Sequence, residues 1–460
     1  MNIKKHIRSM TWLLILILIF TGCGNNSQST QGQAISIPEQ TAPPTSTPAP
    51  TPEPTPLPTP SPFPEYDITL MMVGDNLMHM GLVQSGEQED GSYNYDMLFE
   101  GISQQLQAAD IKIINQETIL GGNELGFSGY PRFNSPTEVG DAIAEAGFNV
   151  VLHASNHAAD QYLKGLKGCT SFWRNQHEEV MMLGIQEEPT PELSDGEESL
   201  IMCSGSAEAC GDRTANWQVD QSGIGYVTVK DITFAILNYT YSPNSEVIPS
   251  SIMGHLNFLC DYNPKSGQLD FTSLNPQVLE DIAIAKENAD IVIVCPHWGT
   301  EYVTTPSSYQ EKFASQMTEA GADVIIGTHP HVVQPMEWLE SENGNRSLCF
   351  YSLGNYVSTQ KKSICMLEAM AWVTFHIDED GISITESQTG VIPLVCQYTG
   401  NPVRFEGVYL LQDYTEEQAA SHGILSYGGV NLYLSDLQKW ADEVFGENII
   451  YWPENREDPR

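Results

Sequence analysis

The sequence predicts an α/β protein, and three observations lead to that prediction. From about Tyr66 onward, strand-like apolar runs alternate with helix-like segments whose apolar residues recur every three or four positions. Five of these units deliver polar residues at the ends of their strands, and the carboxyl edge of an α/β sheet is where such folds place their ligands. With 460 residues, 41% of them hydrophobic, the chain is long enough for a large core or for one big α/β domain with insertions.

The N-terminal segment has the features of an export signal. Three Lys or Arg residues precede the apolar run "WLLILILIF", which is shorter than the roughly 20 residues that a membrane-spanning helix needs. Thr21 and Gly22 then precede Cys23, a pattern that resembles a bacterial lipobox with Phe20 in the usual leucine position. We expect residues 1–22 to be a lipoprotein signal peptide and Cys23 to carry a lipid anchor. The alternative is an ordinary secretion signal with an incidental cysteine.

Residues 23–65 continue from this cysteine into a linker rich in Pro and Thr that ends in "TPAPTPEPTPLPTPSPFP". Its apolar surface is too small to form a core, and its prolines favour an extended, semi-rigid conformation. We therefore predict a spacer that holds a folded domain, residues 66–460, off the membrane. The predicted location is extracytoplasmic, at the cell membrane through the lipid anchor.

The folded region is predicted to contain five successive units and a C-terminal extension. The units are, in order, "YDITLMMVGD", "FEGISQQLQAADIKIINQET", "PTEVGDAIAEAGFNVVLHASNH", "DIAIAKENADIVIVCPHWGTEY" and "YQEKFASQMTEAGADVIIGTHPH".

Residues 187–222, rich in acidic residues, Ser and Gly, are interpreted as a surface insertion. The stretch "GYVTVKDITFAILNYTYSP" predicts two strands joined by a turn at Lys230 and Asp231. Residues 366–400 have the period of an antiparallel hairpin, and "LSDLQKWADEVFG" is typical of a closing helix. One domain with two sheets accounts for these elements more economically than two domains.

Eight cysteines besides Cys23 would face a compartment in which disulfides can form. Cys295 and Cys349 lie in apolar segments, where we expect buried free thiols. Cys203 and Cys210 are the best disulfide candidates, because they are close together in a polar segment.

The polar strand ends carry the ligand types of a divalent-metal site. They are Asp75 and His79 in "VGDNLMH", Asn115 and Glu117 in "NQE", Asn156 and His157 in "SNH", His297 and Glu301 in "HWGTE", and His329 and His331 in "THPH". Imidazole, carboxylate and amide oxygen suit Mn²⁺, Zn²⁺ or iron, and the lack of thiolates at these positions argues against a structural zinc site. A shared acid such as Glu117 could bridge two ions, which would lie about 3.5–4 Å apart and activate a water.

Each of these residues also has a simpler explanation. A lone His at a strand end is commonly a hydrogen-bonded structural residue, an Asn there is commonly a helix cap, and Asp75 could be a turn residue. The repetition at five strand ends favours a metal-binding or polar catalytic cluster. We expect His153 to support this cluster without binding metal. Four histidines without such neighbours are expected to be structural: His177, His255, His376 and His422.

The charge of the chain limits its partners. Fifty-nine acidic residues against 20 basic ones give a net charge of −39. Nucleic acid is bound through clustered Lys and Arg, so the sequence excludes it as a partner. A polyanionic ligand would have to be held by a local positive centre, such as a metal ion, against this negative field.

Six motifs, taken in this order and at these intervals, carry a family resemblance: "VGDNLMH", "NQET", "SNHAAD", "HWGTEY", "GTHPHVVQ" and "YSLGNYV". From Tyr66 to Val357 the chain resembles the CapA-like poly-γ-glutamate capsule biosynthesis proteins of bacteria. The resemblance implies the calcineurin-like metallophosphatase fold, a four-layer α-β-β-α sandwich with two sheets face to face and helices outside. It also implies that one or two divalent ions (Mn, Zn or Fe) are bound.

The resemblance assigns roles to the strand-end residues. The implied metal ligands are Asp75, Glu117 as the bridging acid, Asn156, His297, His329 and His331, with His79 as a further candidate. His157 matches the histidine that assists the leaving group in the phosphoesterases, and Glu301 is the second candidate catalytic residue. Pro330 is expected to fix the backbone so that both flanking imidazoles point into one site.

The chain also departs from the metallophosphatase pattern at three places. Leu77 occupies the position where a histidine usually follows the first aspartate, and His79 is two residues further on. The bridging aspartate is replaced by the longer Glu117, and "SNH" replaces Gly-Asn-His. One of the two metal sites is therefore expected to be weaker or absent.

Three functional hypotheses follow. The first is a surface lipoprotein that helps to make, export or process an anionic γ-glutamyl polymer, with that polymer or a polymer-synthesis membrane complex as its partner. The second is a secreted metal-dependent phosphoesterase with another substrate. The third is a noncatalytic assembly or binding subunit that keeps the fold.

Overall fold

The computed structural model describes residues 65–189, 201–209, 213–400 and 402–452. The predicted signal peptide, the lipid anchor at Cys23 and the linker up to residue 64 lie outside these residues, and so does Cys210 of the predicted disulfide. Within the described residues, no helix is both long enough and apolar enough to cross a membrane.

Strands and helices alternate along the described chain. In chain order the strands are β1 (Tyr66–Asn76), β2 (Ile111–Asn115), β3 (Val150–Leu152), β4 (Met181–Leu183), β5 (Ile201–Ala209), β6 (Arg213–Asp220), β7 (Gly225–Val229), β8 (Ile232–Thr240), β9 (Cys260–Tyr262), β10 (Leu269–Leu274), β11 (Ile291–His297), β12 (Val324–Ile326), β13 (Val333–Glu340), β14 (Arg346–Leu353), β15 (Asn355–Val357), β16 (Leu367–Asp378), β17 (Gly381–Ile384), β18 (Gly390–Thr399) and β19 (Arg404–Leu410). The helices are α1 (Met80–Ser85), α2 (Ser103–Ala108), α3 (Glu138–Glu145), α4 (Tyr162–Gln176), α5 (Pro276–Asn288), α6 (Ser308–Ala320), α7 (Glu416–Ser421) and α8 (Leu434–Phe445).

Two large sheets organise these elements. The first has the order β19-β18-β16-β1-β2-β3-β4, with β15 beside the end of β1 and β17 beside β16. The second has the order β13-β14-β12-β11-β8-β7-β6-β5. Each sheet has a parallel part, β1 to β4 in the first and β8, β11, β12 and β14 in the second. The carboxyl ends of several strands therefore meet at one edge of each sheet.

The two sheets pack face to face with helices outside, which confirms the predicted four-layer α-β-β-α sandwich. Between the sheets, the Cys295 sulfur of β11 lies 3.9 Å from the Met72 sulfur of β1, and the rings of Phe234 and Phe375 are 5.2 Å apart. Helix α2 packs on β1, whereas α5 packs on β8 and β11, and α6 packs on β13 and β14. The strand β11, "IVIVCPH", is buried along its whole length, as expected for a parallel strand that is covered on both faces.

Local signals set the ends of the helices that lead into the second sheet. Asn275 caps α5 by accepting a hydrogen bond from the Gln277 N–H. Ser307 and Gln310 form a reciprocal capping box at the start of α6. The helix α6 ends at Gly321, whose φ of 113° is in the left-handed region that glycine adopts without strain.

Most predicted elements are confirmed. The turn between β7 and β8 has Lys230 at φ 49° and Asp231 at φ 69°, the positive values that a tight hairpin requires. The predicted C-terminal hairpin corresponds to the antiparallel pairing of β16 with β17 and β18, and the closing helix is α8. Where the structure describes their side chains, six cysteines, Cys295 and Cys349 among them, are buried free thiols.

The interpretation of residues 187–222 as a surface insertion needs correction in its second half. The strands β5 and β6 form a hairpin that extends the second sheet beyond β7. Along β6, Trp217 and Val219 are buried and Gln218 is exposed, which is the alternation of a half-buried strand. The abundance of acidic residues, Ser and Gly around this short alternation concealed it in the sequence.

A buried carboxyl group on β16 gives a prediction about stability. Glu368 is fully buried, and neither of its carboxylate oxygens has a hydrogen-bond partner among the described residues. Burial raises the pKa of Glu368 well above its ordinary value. Above about pH 4.3, the pKa of an unfolded glutamate, the folded state therefore binds more protons than the unfolded state, so the free energy of unfolding falls as pH rises.

We expect Glu368→Gln to raise the free energy of unfolding by about 1–3 kcal/mol at pH 8, because no carboxylate then has to stay buried or protonated. The gain should shrink towards pH 4, where the wild-type group is protonated in both states. Chemical denaturation from pH 4 to 8 measures this, with Glu379→Gln in the exposed turn after β16 as the matched control. A gain that does not depend on pH would contradict the prediction.

Candidate metal centre

The carboxyl ends of strands from both sheets bring the predicted ligands together in the interior of the protein. Asp75 lies at the end of β1, Glu117 follows β2 and Asn156 follows β3 in the first sheet. In the second sheet, His297 ends β11, and His329 and His331 follow β12. All six side chains are buried. The site is therefore formed between the two sheets.

Glu117 lies at the centre of this cluster. Two groups of three side chains, one with His297 and His329 and the other with Asp75 and His331, each contain Glu117. Within each group the potential ligand atoms lie within 4.8 Å of one another. The Glu117 Oε1 atom is 3.9 Å from His297 Nε2 and 3.8 Å from His331 Nε2. This is the arrangement that a bridging carboxylate requires.

The His-Pro-His segment enters the site through an unusual backbone conformation. His329 has φ 98° and His331 has φ 58°, both in the left-handed region, which costs a non-glycine residue about 1–3 kcal/mol. Surrounding hydrogen bonds hold it in place: the His329 N–H donates to Asp75 Oδ2 at 3.1 Å, and His331 Nδ1 lies 3.0 Å from Asn355 Oδ1. The two rings are 5.8 Å apart and face the same carboxylate.

Polar neighbours also fix His297 and Asp75. His297 Nδ1 is 2.9 Å from the Thr328 hydroxyl, and His297 Nε2 is 2.8 Å from Asn156 Oδ1. The Asn115 amide donates to Asp75 Oδ1 at 2.7 Å. These contacts orient the side chains before any ligand binds.

Burial and neighbouring charges set the protonation of the cluster. Burial, and then the adjacent imidazoles, lower the pKa of His297 and of His329 well below the ordinary value, so both rings are neutral and able to act as ligands. Burial alone would lower the pKa of His331, but Glu117 and Asp75 outweigh it and raise the pKa to about 9. Burial also raises the pKa of Glu117. A bound cation would therefore displace protons from the cluster.

The residues present fit a divalent cation. Both oxygens of Glu117, Nδ1 of His329 and Oδ1 of Asn115 are buried without a hydrogen-bond partner among the described residues. Buried polar atoms without partners are uncommon and costly, and a cation would satisfy the acceptors among them. Imidazole nitrogen, carboxylate and amide oxygen are donors that Mn²⁺, Zn²⁺ and iron accept.

The two predicted catalytic residues lie beside the cluster, on the wall of an open groove of about 550 Å³. His157 Nδ1 is 2.7 Å from Asp160 Oδ2, so the carboxylate orients the imidazole as it does in other acid-base pairs. Asn244 joins this pair to the ligands, because it contacts both Asn156 Nδ2 and His157 Nδ1. Glu301 is exposed on the same groove.

His79 is not part of either group of ligand atoms. Its Nδ1 accepts a hydrogen bond from the Thr359 N–H at 3.3 Å, and its ring packs edge-on against Phe133. Burial, together with the electrostatic effect of His331, lowers its pKa to about 4. Leu77, in the usual histidine position, is buried and offers no ligand atom. The two groups of ligand atoms contain five of the seven predicted ligands, and a sixth, Asn156, contacts His297 beside them.

The remaining histidines in the described part of the chain make structural contacts. His153 accepts a hydrogen bond from the Trp173 indole at 2.8 Å and so ties the end of β3 to α4. His177 lies between Asp141 and Glu179, His376 pairs with Asp67, His255 contacts the Gln186 carbonyl and His422 contacts the Cys396 carbonyl.

Several positioning residues did not emerge as site residues from the sequence. Thr328, Asp160 and Asn355 stand inside or beside the quoted motifs, so their proximity to a candidate ligand was the available signal. Asn244 lies in the loop after β8, far from any motif in the chain. Only the fold brings it between Asn156 and His157.

Fold and site together define a class: an α-β-β-α sandwich with a buried histidine-carboxylate cluster where the two sheets meet. The family described as bacterial capsule synthesis protein PGA_cap matches residues 69–191 and 215–360, more than half of the chain. The chain belongs to this family.

Curated relatives agree with the family. The chain is 28% identical over 344 residues to the capsule biosynthesis protein CapA of Bacillus anthracis, covering 73% of this chain and 69% of the relative. It is 28% identical over 240 residues to the PGA biosynthesis protein CapA of Bacillus subtilis (strain 168), covering 52% of this chain and 50% of that protein. The chain thus spans about half the length of the second relative. A crystal structure of a hypothetical protein from Thermus thermophilus matches 71% of this chain and 99% of its own, with 14% identity and a TM-score of 0.35.

Proposed function

We propose that this chain acts in the bacterial cell envelope as a metal-dependent hydrolase that processes an anionic γ-glutamyl polymer during capsule synthesis. The observation that carries the proposal is the central position of Glu117, a buried carboxylate without hydrogen-bond partners among the described residues that belongs to two ligand groups. Membership of a capsule synthesis family supports the polymer as substrate. The names of the two Bacillus relatives refer to capsule and PGA biosynthesis, which points the same way.

The six ligands named above would hold one or two divalent ions. When bound, such ions lower the pKa of a coordinated water and polarise a carbonyl or phosphoryl oxygen. The residues of the chain do the rest. Asn115 orients Asp75 and Asn355 orients His331, and the closely packed interior around them excludes bulk water. His157, which Asp160 orients, would give a proton to the departing amine of a cleaved amide bond.

The predicted export signal and linker fit this function. A lipid at Cys23 would hold the protein at the outer face of the cell membrane, and the Pro- and Thr-rich spacer would let the domain reach a polymer that emerges there. A polymer-synthesis complex in the membrane is the corresponding protein partner.

The first test compares the wild type with the double variant His329→Ala, His331→Ala. Elemental analysis should find one or two equivalents of Mn, Zn or Fe in the wild type and at least a tenfold loss in the variant, since each group of ligands loses one imidazole. Cleavage of a γ-linked glutamate polymer, followed by release of amino groups, should fall with the metal. His376→Ala, which removes a partly exposed histidine outside the cluster, is the matched control.

The same proteins separate the alternatives. Hydrolysis of a phosphodiester without hydrolysis of the γ-glutamyl polymer would replace the proposal with a phosphoesterase. A folded wild type that binds no metal under several loading conditions would overturn the catalytic proposal and favour a noncatalytic assembly subunit.

A further inference from the structure

We propose that Arg132, beside the proposed proton donor His157, and Lys361 and Lys362, beside His331 and His79, bind free carboxylates of a polyanionic chain that passes over the site. The inference rests on the proposed function and deepens it, because it assigns the residues that recognise the polymer. All three basic side chains belong to exposed residues.

Arg132 lies on the side of the proposed proton donor. It lines the same groove as His157 and Glu301, next to Phe133, whose ring packs on His157 at 4.7 Å. Its guanidinium lies 5.2 Å from the centre of the Tyr162 ring. A guanidinium held against an aromatic ring keeps its planar donors available for a carboxylate.

Lys361 and Lys362 lie on the side of His331 and His79. The Lys362 ammonium is 3.6 Å from the centre of the Tyr302 ring, which is itself 6.0 Å from the His331 ring. Just before them in the chain, the Thr359 N–H donates to His79 Nδ1. Lys361 lies over the Tyr427 ring at 4.8 Å. The two ammonium groups are therefore held near the His331 and His79 part of the same site.

The charge of the protein makes these positions significant. In a chain with 20 basic and 59 acidic residues, several basic side chains elsewhere pair with acids, as Lys286 does with Asp323. Among the described residues, none of the three basic groups beside the site has an acidic partner within 4 Å. Asp160, which lines the same groove as Arg132, is occupied by His157 and by the Phe133 N–H at 2.7 Å. A local positive potential is therefore available where the surrounding field is negative.

The distribution of the charges selects the class of ligand. The Arg132 guanidinium lies against Tyr162, whereas the two ammonium groups lie against Tyr427 and Tyr302, so the three charges form two separate basic regions beside the cluster. A γ-linked glutamate chain carries a free carboxylate on every residue and could contact both. Glu301 is exposed on the groove that Arg132 lines, and its charge would oppose such a chain.

The test measures binding of a fluorescent γ-linked glutamate oligomer to the full-length protein by anisotropy, with and without bound metal. Arg132→Gln and the double variant Lys361→Gln, Lys362→Gln should each weaken binding about 5- to 10-fold, and the loss should shrink as salt rises. Glu301→Gln should tighten binding. The control is Lys286→Gln, which removes one positive charge from the end of α5, at the amino-terminal edge of β11 and β12. It should leave binding unchanged.

Each outcome decides between the two proposals. If the wild type binds the oligomer but the Arg132 and lysine variants behave like Lys286→Gln, the inference is wrong although the proposed substrate stands. If the wild type does not bind the oligomer at all, both are wrong. If the variants lose binding and the metal-loaded wild type never cleaves the polymer, the recognition residues stand and the hydrolase proposal fails. If free glutamate competes as strongly as the unlabelled oligomer, the proposal that one chain contacts both basic regions is wrong.

Discussion

Replacing Glu117 by Gln is expected to abolish divalent-metal binding and, at the same time, to stabilise the metal-free protein. Both ligand groups contain Glu117, so the substitution removes one anionic ligand from each. We expect metal affinity to fall by more than about 100-fold, beyond the effect of losing a residue that merely orients a ligand.

The opposite effect on the metal-free protein has a separate cause. The Glu117 carboxylate is fully buried without a hydrogen-bond partner among the described residues, and burial raises its pKa. An amide of the same size removes the need to bury or protonate that group, so the free energy of unfolding should rise by about 1–3 kcal/mol in the presence of chelator. With excess metal the wild type should become the more stable of the two proteins, because metal binding to the folded state stabilises only the wild type.

Thermal unfolding with chelator and with excess Mn²⁺ or Zn²⁺ measures both effects. Glu379→Gln, which changes an exposed carboxylate in the turn after β16, is the control and should change neither value by much. A Glu117→Gln protein that is less stable than the wild type in chelator, or that still gains stability from metal, would show that Glu117 serves as a structural residue.

Replacing Gly74 by Ala is expected to destabilise the fold and to weaken metal binding together. A Cβ atom at Gly74 would lie 2.2 Å from the Gly354 carbonyl oxygen and 3.1 Å from the Asn355 carbonyl carbon. Both contacts are backbone atoms, so β1 and β15 would have to move apart. Such overpacking costs about 1–3 kcal/mol, and more where the backbone cannot relax.

The metal site should respond because the next residue on each strand belongs to it. The Asp75 N–H donates to the Gly354 carbonyl at 3.0 Å, and Asp75 lies opposite Asn355, which orients His331. Urea denaturation and metal titration test the two effects. Gly428→Ala, where a Cβ would meet no atom within 4 Å, is the matched control. If Gly74→Ala lowers stability but leaves metal affinity unchanged, the coupling between strand contact and site is refuted.

Much of the fold could be predicted because its signals are local. The strands β1, β2, β3, β11 and β12 were visible as apolar runs, and helices such as α6 had both a periodic apolar face and caps. The hairpin of β5 and β6 was missed because its alternation is short and lies within a polar stretch. The hairpin becomes buried by pairing with β7 in the second sheet, and a local sequence pattern carries no information about that pairing.

For the site, the sequence by itself determined which residues are chemically able to act: carboxylates and imidazoles that follow strands. The tertiary structure alone decided which of them meet. The ligands come from two different sheets, and whether Asp75 and His331 approach one Glu117 depends on how those sheets face each other. The tertiary structure also excluded His79 from both ligand groups and placed Asn244 and Arg132 beside the site. The physical reason is that residue chemistry and strand position are local properties, whereas distances between sheets are set by packing of the whole core.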